Sequence, residues 1–310
     1  MERIELTVDD GDVGLRLDRF LAGKMPEMSR SEIQRAIRAG HVTIGGLTTR
    51  QSSRRLRQGE RILSETAIQP LLAPARIDIA ILYEDEQIVV VNKPVGLVVH
   101  PGAGQSGTTL VEGLLVDRDL PAGDDPARPG IVHRLDKTTS GVIVAAKTPC
   151  ALESLKIQFA EQRVSKLYLA VVEGAIAEEE GLIDAPIRRD PTCPTRMAIH
   201  PQGRVALSEF RVLARNDATT LLLVSPRTGR THQIRVHLHY IGHPIVGDSL
   251  YGRRGKRLML HAWRIGFTHP TEGKRIRFEA PVPPEFPKYP YQEIPWPELR
   301  NASSPVQPDR

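Results

Sequence analysis

The chain has 310 residues, of which 40% are hydrophobic and 25% charged, and its formal net charge is +5. This length suggests about two domains and is ample for at least one hydrophobic core. No apolar run approaches the about 20 residues that a membrane helix needs, and the charged start MERIELTVDDGDVG lacks the apolar core of a signal peptide. We therefore expect a cytoplasmic protein with no membrane partner.

Residues 1–70 are predicted to form a small α+β domain. Apolar residues at helical spacing end at Gly40, which is a typical helix stop. A strand over 41–44, a two-glycine hairpin turn and a last strand near 61–63 complete the predicted domain.

The positive charge is concentrated in this first domain. Between residues 30 and 61 there are eight arginines but only two acids. Such a surplus is typical of a nucleic-acid-binding face, although a solvated basic surface has the same composition. The candidate RNA contacts are Arg30, Arg35, Arg38, Arg54 and Arg55.

After a linker at 69–76, strands predominate. Continuous apolar runs predict buried strands at 87–92, 141–146, 167–172 and 220–224, and helical patterns occur at about 150–163 and 231–241. Many strands and few helices favour an α+β domain over 77–295, with a mostly antiparallel mixed sheet. Residues 296–310 are predicted to be a disordered tail.

Cysteine and histidine usage does not indicate a metal site. Cys150 and Cys193 do not form a CxxC pair, and we expect free thiols. Four histidines cluster without a cysteine or carboxylate at a familiar ligand spacing. They are His232, His237, His239 and His243.

The segment GIVHRLDKTTSG (130–141) places Asp136 on a loop between strands, where a rigid frame can orient a carboxylate. Taken alone, such an Arg-x-Asp loop is usually a surface ion pair. HRLDKTTSG is similar, however, to the signature of the RluA family of RNA pseudouridine synthases, in which this aspartate is the catalytic carboxylate.

Further segments resemble the same family in the same order along the chain. They are VVNKPVGLVVHPG (90–102), KLYLAVVEG (166–174), PRTGRTHQIRVHLHYIGHPIVGDSLYG (226–252), RLMLHAWRIGF (257–267) and EAPVPPEF (279–286). The resemblance implies an active-site tyrosine, Tyr168, and an arginine that pairs with the aspartate, here taken as Arg230. LRLDRFLAGKMPEMSRSEIQRAIRAGHVTIGG (15–46) resembles the RNA-binding domain named after ribosomal protein S4.

The implied activity is the isomerisation of uridine in RNA without a cofactor, because no electrons or groups enter the reaction. Asp136 would act beside the ribose–base junction. Burial disfavours a charged carboxylate, and we assign Arg230 to oppose that effect, with a phosphate contact as its alternative role. Tyr168 would stack on the uracil and assist the final deprotonation.

The remaining assignments concern the extraction of the nucleotide from its stack. Arg134 would fill the gap or hold neighbouring phosphates, and His133 would contact RNA or else order the loop. Lys93, Arg227 and Arg235 are candidate phosphate contacts, whereas Asp248 is expected to support a loop.

The resemblance favours large-subunit ribosomal RNA as the substrate, with transfer RNA as the alternative. A protein of another class, a non-catalytic RNA-binding or ribosome-assembly factor, is the rival hypothesis. We expect a monomer.

Overall fold

The structure is a computed structural model that describes residues 2–25, 28, 30–66, 72–101, 107–123, 125 and 127–296. Its α-helices are α1 (Leu17–Lys24), α2 (Arg30–Ala39), α3 (Leu110–Leu114), α4 (Pro149–Ala160) and α5 (Gln233–Tyr240). Its strands are β1 (Glu2–Thr7), β2 (Val42–Ile44), β3 (Leu47–Thr48), β4 (Arg61–Thr66), β5 (Ala80–Glu84), β6 (Ile88–Lys93), β7 (Ser140–Ala146), β8 (Ser165–Glu173), β9 (Glu180–Asp184), β10 (Ile187–Arg189), β11 (Met197–Ile199), β12 (Leu207–Arg215), β13 (Thr219–Pro226), β14 (Leu260–Thr268) and β15 (Arg275–Glu279). None of the helices in these ranges has the length and hydropathy needed to cross a bilayer.

The chain divides into two compact units. The first contains the residues up to Pro74 and two short later segments, and the second begins at Ala75. The domain limits expected from the sequence, 1–70 and 77–295, stay predictions. The predicted disordered tail lies outside the described residues except for Trp296, whose ring is 4.8 Å from the guanidinium carbon of Arg264.

The first unit is a four-stranded antiparallel sheet with two helices. The strand order is β1-β4-β2-β3. Ile33 and Ile37 of α2 are buried with Leu17 and Phe20 of α1 in one apolar core. The predicted helix before Gly40 and the strands near 41–44 and 61–63 are confirmed, whereas β1 was not predicted.

A buried carboxylate joins the two helices of this unit. Asp18 is fully buried and accepts two hydrogen bonds of 3.0 Å from Arg16, together with others from Arg30 and from Gln34. The hydrogen bond from Arg16 is the main reason that the pKa of Asp18 is far below its usual value. The network holds the first residue of α2 against the start of α1, which fixes the orientation of Arg30.

The second unit contains a nine-stranded mixed sheet. Its order is β5-β6-β7-β14-β8-β13-β12-β9, and β15 pairs with β14. The β7–β14 pair is parallel and the other pairs are antiparallel, which confirms the predicted fold class. The four predicted buried strands correspond to β6, β7, β8 and β13, and the two predicted helices correspond to α4 and α5.

The parallel pair depends on one glycine. Gly141 has φ +118°, and a Cβ added there would lie 2.1 Å from the carbonyl oxygen of Ala262 on β14. Only glycine lets β14 approach the start of β7 this closely. Since Gly141 ends the GIVHRLDKTTSG segment, this contact anchors the loop that carries Asp136.

Candidate active site

Asp136 lies on a loop that is held on both sides. Leu135 is 4% exposed and packs into the core between β6, β7 and β14. The carbonyl of Lys137 accepts a hydrogen bond of 2.8 Å from the Gly96 amide, and the Thr139 amide closes a turn onto the carbonyl of Asp136. The Asp136 side chain keeps 18% of its surface exposed. The loop therefore presents the carboxylate at the surface of a rigid frame.

The arginine that pairs with Asp136 is Arg235. Its Nη1 atom donates to Asp136 Oδ2 at 3.0 Å. Its Nε and Nη2 atoms donate to the two carboxylate oxygens of Asp248, each at 2.8 Å. Burial opposes the charge of Arg235, but the two carboxylates outweigh it and raise the pKa of the guanidinium. One buried cation is thus shared by two anions.

The prediction that Arg230 pairs with Asp136 is wrong. The Nε atom of Arg230 donates instead to the carbonyl of Val205 at 3.0 Å. Arg230 precedes α5, whereas Arg235 lies inside the helix on a buried face. The phosphate-contact role considered for Arg235 also fails, because its side chain is 5% exposed and is occupied by carboxylates.

Asp248 supports a loop, as expected, and also fixes Arg235. Its carboxylate is completely buried and accepts hydrogen bonds from the amides of Leu250 and Tyr251 at 3.0 and 3.2 Å. These donors and Arg235 lower the pKa of Asp248 against the opposing effect of burial. Asp248 therefore stays ionised and sets the direction in which Arg235 meets Asp136.

Tyr168 lies on β8 between two neighbouring strands. It pairs with Val224 of β13 and with Ala262 of β14. Burial and, to a lesser extent, the charge of Asp136 raise the pKa of its phenol. Tyr168 therefore carries its proton at neutral pH, close enough to Asp136 to be affected by that charge.

His232 is a further residue at this site, and the sequence had indicated it only as one of four clustered histidines. Its Nε2 atom is 3.9 Å from Asp136 Oδ2, and its Nδ1 atom is 2.9 Å from the Tyr251 hydroxyl. Its φ of +56° is in the left-handed region, which costs a histidine about 1–3 kcal/mol. Burial lowers its pKa, so the ring is neutral at pH 7. The left-handed backbone of His232 beside Asp136 marks it as a candidate site residue, and this feature is visible only in the structure.

The Tyr251 hydroxyl fixes the orientation of the His232 ring. Its oxygen lies 2.9 Å from His232 Nδ1 and also accepts a 2.7 Å hydrogen bond from the amide of Met197. A hydroxyl donates to an unprotonated Nδ1 and accepts from a protonated one, so the contact holds the ring in either tautomer.

Lys93 is not available for a phosphate contact. It is fully buried, and its ammonium donates to the carbonyls of Pro94, Leu97 and Lys137 at 2.9, 2.9 and 3.3 Å. Burial lowers the pKa of Lys93 to about 7, and Asp136 opposes that shift. Since Lys137 follows Asp136 directly, Lys93 supports the loop that carries the carboxylate.

Replacing Lys93 by Met is expected to change how stability depends on pH. In the folded protein its pKa is about 7, below the 10.5 of an ordinary lysine, so the unfolded chain binds more protons between these values. The contribution of Lys93 is therefore greatest above pH 10.5 and is lost as the pH falls towards 7. We expect the free energy of unfolding of wild type, minus that of Lys93→Met, to be more positive at pH 9 than at pH 7. Urea unfolding at the two pH values measures this difference.

The exposed Lys288 provides the matched control. Lys288→Met should change stability equally at both pH values. A stability difference for Lys93→Met that does not vary with pH would show that the lysine is charged throughout this range.

His133 and Arg134 have different surroundings. The amide of Val144 donates to His133 Nε2 at 3.0 Å, and the ring stacks on Phe159 with centroids 4.7 Å apart. Burial lowers the pKa of His133 to about 3, so these contacts favour the interpretation in which it orders the loop. Arg134 is exposed, and its charge contributes to the lowered pKa of His232. Arg134 therefore stands beside the site with its side chain open to solvent.

The predicted RNA-binding arginines of the first unit are partly engaged in the fold. Arg54 forms a two-point ion pair with Glu60 at 2.8 and 3.2 Å, and Arg55 donates to the carbonyl of Gly14. Arg30 donates to the buried Asp18 while 51% of its side-chain surface stays exposed, and the exposed Arg38 donates to Gln34 at 3.3 Å. The side chain of Arg35 lies outside the described residues.

Comparison with known proteins identifies the family. Residues 87–240 match the family described as RNA pseudouridylate synthase, and residues 15–62 match the S4 domain. An Aquifex aeolicus protein named uncharacterized RNA pseudouridine synthase is 45% identical, over 87% of this chain and 91% of the relative. A Nitrosomonas europaea protein named ribosomal large subunit pseudouridine synthase D is 42% identical, over 90% of this chain and 85% of the relative.

A solved structure agrees with these relatives. The structure titled Human RNA Pseudouridylate Synthase Domain Containing 1 has a TM-score of 0.55 and 31% identity, and the match covers 66% of this chain and 84% of that one. The matches define an RNA-binding isomerase that converts uridine to pseudouridine. The chain belongs to the RNA pseudouridine synthase family.

Proposed function

We propose that this enzyme acts on large-subunit ribosomal RNA, with Asp136 as the essential carboxylate and without a cofactor. The observation that carries the proposal is the geometry of Asp136. Its Oδ2 atom is fixed by Arg235, while Oδ1 accepts no hydrogen bond from the part of the chain that the structure describes. One oxygen is thus oriented and the other is open to substrate.

The chemistry requires such a carboxylate. The bond between ribose carbon 1′ and uracil nitrogen 1 breaks, the base rotates, and carbon 1′ joins carbon 5. Carbon 5 then loses its hydrogen as a proton, and nitrogen 1 gains a proton. Asp136 could begin this by attacking the ribose, attacking the base, or removing a ribose proton. All three routes need a carboxylate held in a fixed orientation, which the hydrogen bond from Arg235 provides.

Tyr168 is proposed to bind the flipped uracil. Its ring provides a stacking surface, and its raised pKa favours a phenol that donates a hydrogen bond. The same raised pKa disfavours the phenolate that would be needed for Tyr168 to act alone as a base. Its role in the final deprotonation is therefore to orient the uracil, with Asp136 as the nearby proton acceptor.

The substrate assignment rests on two supports. Relatives about 40% identical over most of the chain carry the name ribosomal large subunit pseudouridine synthase D. The first unit matches the S4 domain, and in it Arg38 is exposed while Arg30, bonded to Asp18, keeps 51% of its side-chain surface exposed. We further propose that the enzyme works in the cytoplasm, because the ribosomal RNA substrate is there. We propose that it acts as a monomer.

A tritium-release assay tests the proposal. The protein is incubated with a large-subunit ribosomal RNA transcript tritiated at uracil carbon 5, since isomerisation must release that hydrogen whereas binding cannot. We expect release from this transcript and none from transfer RNA. Release from transfer RNA alone would overturn the substrate, and binding without release from either RNA would indicate a non-catalytic RNA-binding protein.

A further inference from the structure

Three arginines near the active site have no carboxylate partner within the described residues. They are Arg196, Arg204 and Arg230. Elsewhere in the second unit, arginines commonly meet acids: Arg118 pairs with Glu84, and Arg264 with Glu279. A guanidinium without a counter-ion in the free protein is suited to an anionic ligand.

Arg196 lies at the edge of the site. Its guanidinium carbon is 5.1 Å from the centre of the Tyr251 ring, and that of Arg235 is 5.2 Å from the same centre. The guanidinium carbons of Arg196 and Arg235 are therefore no more than about 10 Å apart. Its Nε atom is buried and has no hydrogen-bond partner among the described residues.

Asp190 is an acid whose pKa the charge of Arg196 affects, and one of its oxygens already accepts other hydrogen bonds. Asp190 Oδ1 accepts hydrogen bonds from the amide and hydroxyl of Thr192 and from the amide of Cys193. The charge of Arg196 lowers the pKa of Asp190, but only as the weakest of its causes. Arg196 is thus left with donors for another partner.

Arg204 and Arg230 form the second part of the group. The Nε atom of Arg230 donates to the carbonyl of Val205, the neighbour of Arg204 in the chain. The charge of Arg204 contributes, after burial, to a lowered pKa of Arg230. Arg204 and Arg230 therefore lie near each other, and neither forms an ion pair with a carboxylate among the described residues.

The three arginines lie on segments that pack against α5, the helix that carries Arg235. The β10–β11 hairpin and the 204–206 segment are joined by a bridge between Ile187 and Arg204. Ile187 packs in one apolar cluster with Val236 of α5 and with Tyr251. The same elements that position Arg235 and His232 therefore position the three arginines.

We propose that Arg196, Arg204 and Arg230 form a phosphate-binding cluster that holds the substrate RNA strand beside the target uridine. The inference rests on the proposed RNA-modifying function and adds a second RNA contact region to that of the first unit. The cluster binds phosphates without regard to sequence and keeps the strand in place while the nucleotide is extracted.

The test is the double variant Arg196→Gln/Arg204→Gln in the full-length protein. Arg230 is retained because its Nε also supports the carbonyl of Val205. Filter binding with the large-subunit ribosomal RNA transcript measures the Kd between about 50 and 200 mM salt, where each lost phosphate contact reduces the logarithmic salt slope by about 0.9. We expect a slope smaller by about 2, a Kd raised about 10- to 100-fold, and a KM for tritium release raised similarly with a smaller effect on kcat.

Two comparisons identify the cause. The pair Arg211→Gln/Arg215→Gln removes the same charge from β12, where the two residues are about 13 and 26 Å along the strand from Leu207 at about 3.3 Å per residue, and should leave the slope unchanged. The pair Arg196→Lys/Arg204→Lys keeps the charge and should restore most of the slope. Arg204→Gln alone changes one exposed side chain and should lower the slope by about 0.9 if the double variant does not fold.

The outcomes separate the two proposals. An unchanged slope and Kd in Arg196→Gln/Arg204→Gln, equal to those of the β12 pair, would overturn the cluster even if the wild type releases tritium. A wild type that binds the transcript without releasing tritium would overturn the proposed function, while the salt slope would still decide whether the cluster binds RNA.

Discussion

Replacing Asp136 by Asn is expected to lower tritium release from 5-tritiated ribosomal RNA by more than about 1,000-fold. The amide keeps the size of the side chain but loses the negative charge that each proposed route requires. It also places a neutral group on Arg235 Nη1, 3.0 Å from the present carboxylate oxygen. RNA binding should persist, because the exposed arginines are untouched.

Asp217→Asn is the matched control, since it makes the same chemical change at an exposed position on the turn between β12 and β13. It should retain wild-type release. The role of Asp136 would be rejected if Asp136→Asn kept more than about a tenth of the wild-type rate while circular dichroism showed an unchanged fold.

Replacing Arg235 by Met is expected to have the second largest effect, on both stability and rate. The change leaves the fully buried Asp248 and the partly buried Asp136 without their shared cation. Removing one partner of a buried ion pair costs about 3–5 kcal/mol. Urea unfolding should show a loss of this size, and tritium release should fall at least about 100-fold because Asp136 is no longer oriented.

Arg230→Met distinguishes the two arginines of this segment. It removes a hydrogen bond to a backbone carbonyl at a partly exposed position, so we expect a loss in unfolding free energy of about 1 kcal/mol or less. A larger loss for Arg230→Met than for Arg235→Met would restore the original assignment of Arg230.

Arg235→Lys keeps the charge and allows the stability and orientation effects to be separated. A lysine cannot donate to both oxygens of Asp248 and to Asp136 in one plane. The variant should recover part of the stability and little of the rate. Full recovery of the rate would mean that charge alone, and not the forked geometry, supports Asp136.

The local patterns of the sequence predicted the elements that carry the site. The apolar runs at 87–92, 141–146, 167–172 and 220–224 became central strands, because a strand buried on both faces has apolar residues at successive positions. The half-exposed strands β9 to β12 lack such runs and were missed. The central strand β14 was also missed although it is almost entirely buried, because His261 and Arg264 interrupt its apolar residues. The resemblance of HRLDKTTSG to a known signature, more than any periodicity, drew attention to Asp136.

The sequence by itself determined the fold class, the family and the candidate carboxylate, because these depend on residue types and their order along the chain. Only the tertiary structure decided that Arg235, 99 positions after Asp136, is its partner. Arg230 and Arg235 are both arginines in one motif, and the sequence does not state which turns inward when α5 packs against Asp248. The buried role of Lys93 and the strained backbone of His232 were decided in the same way, since both depend on where distant segments meet.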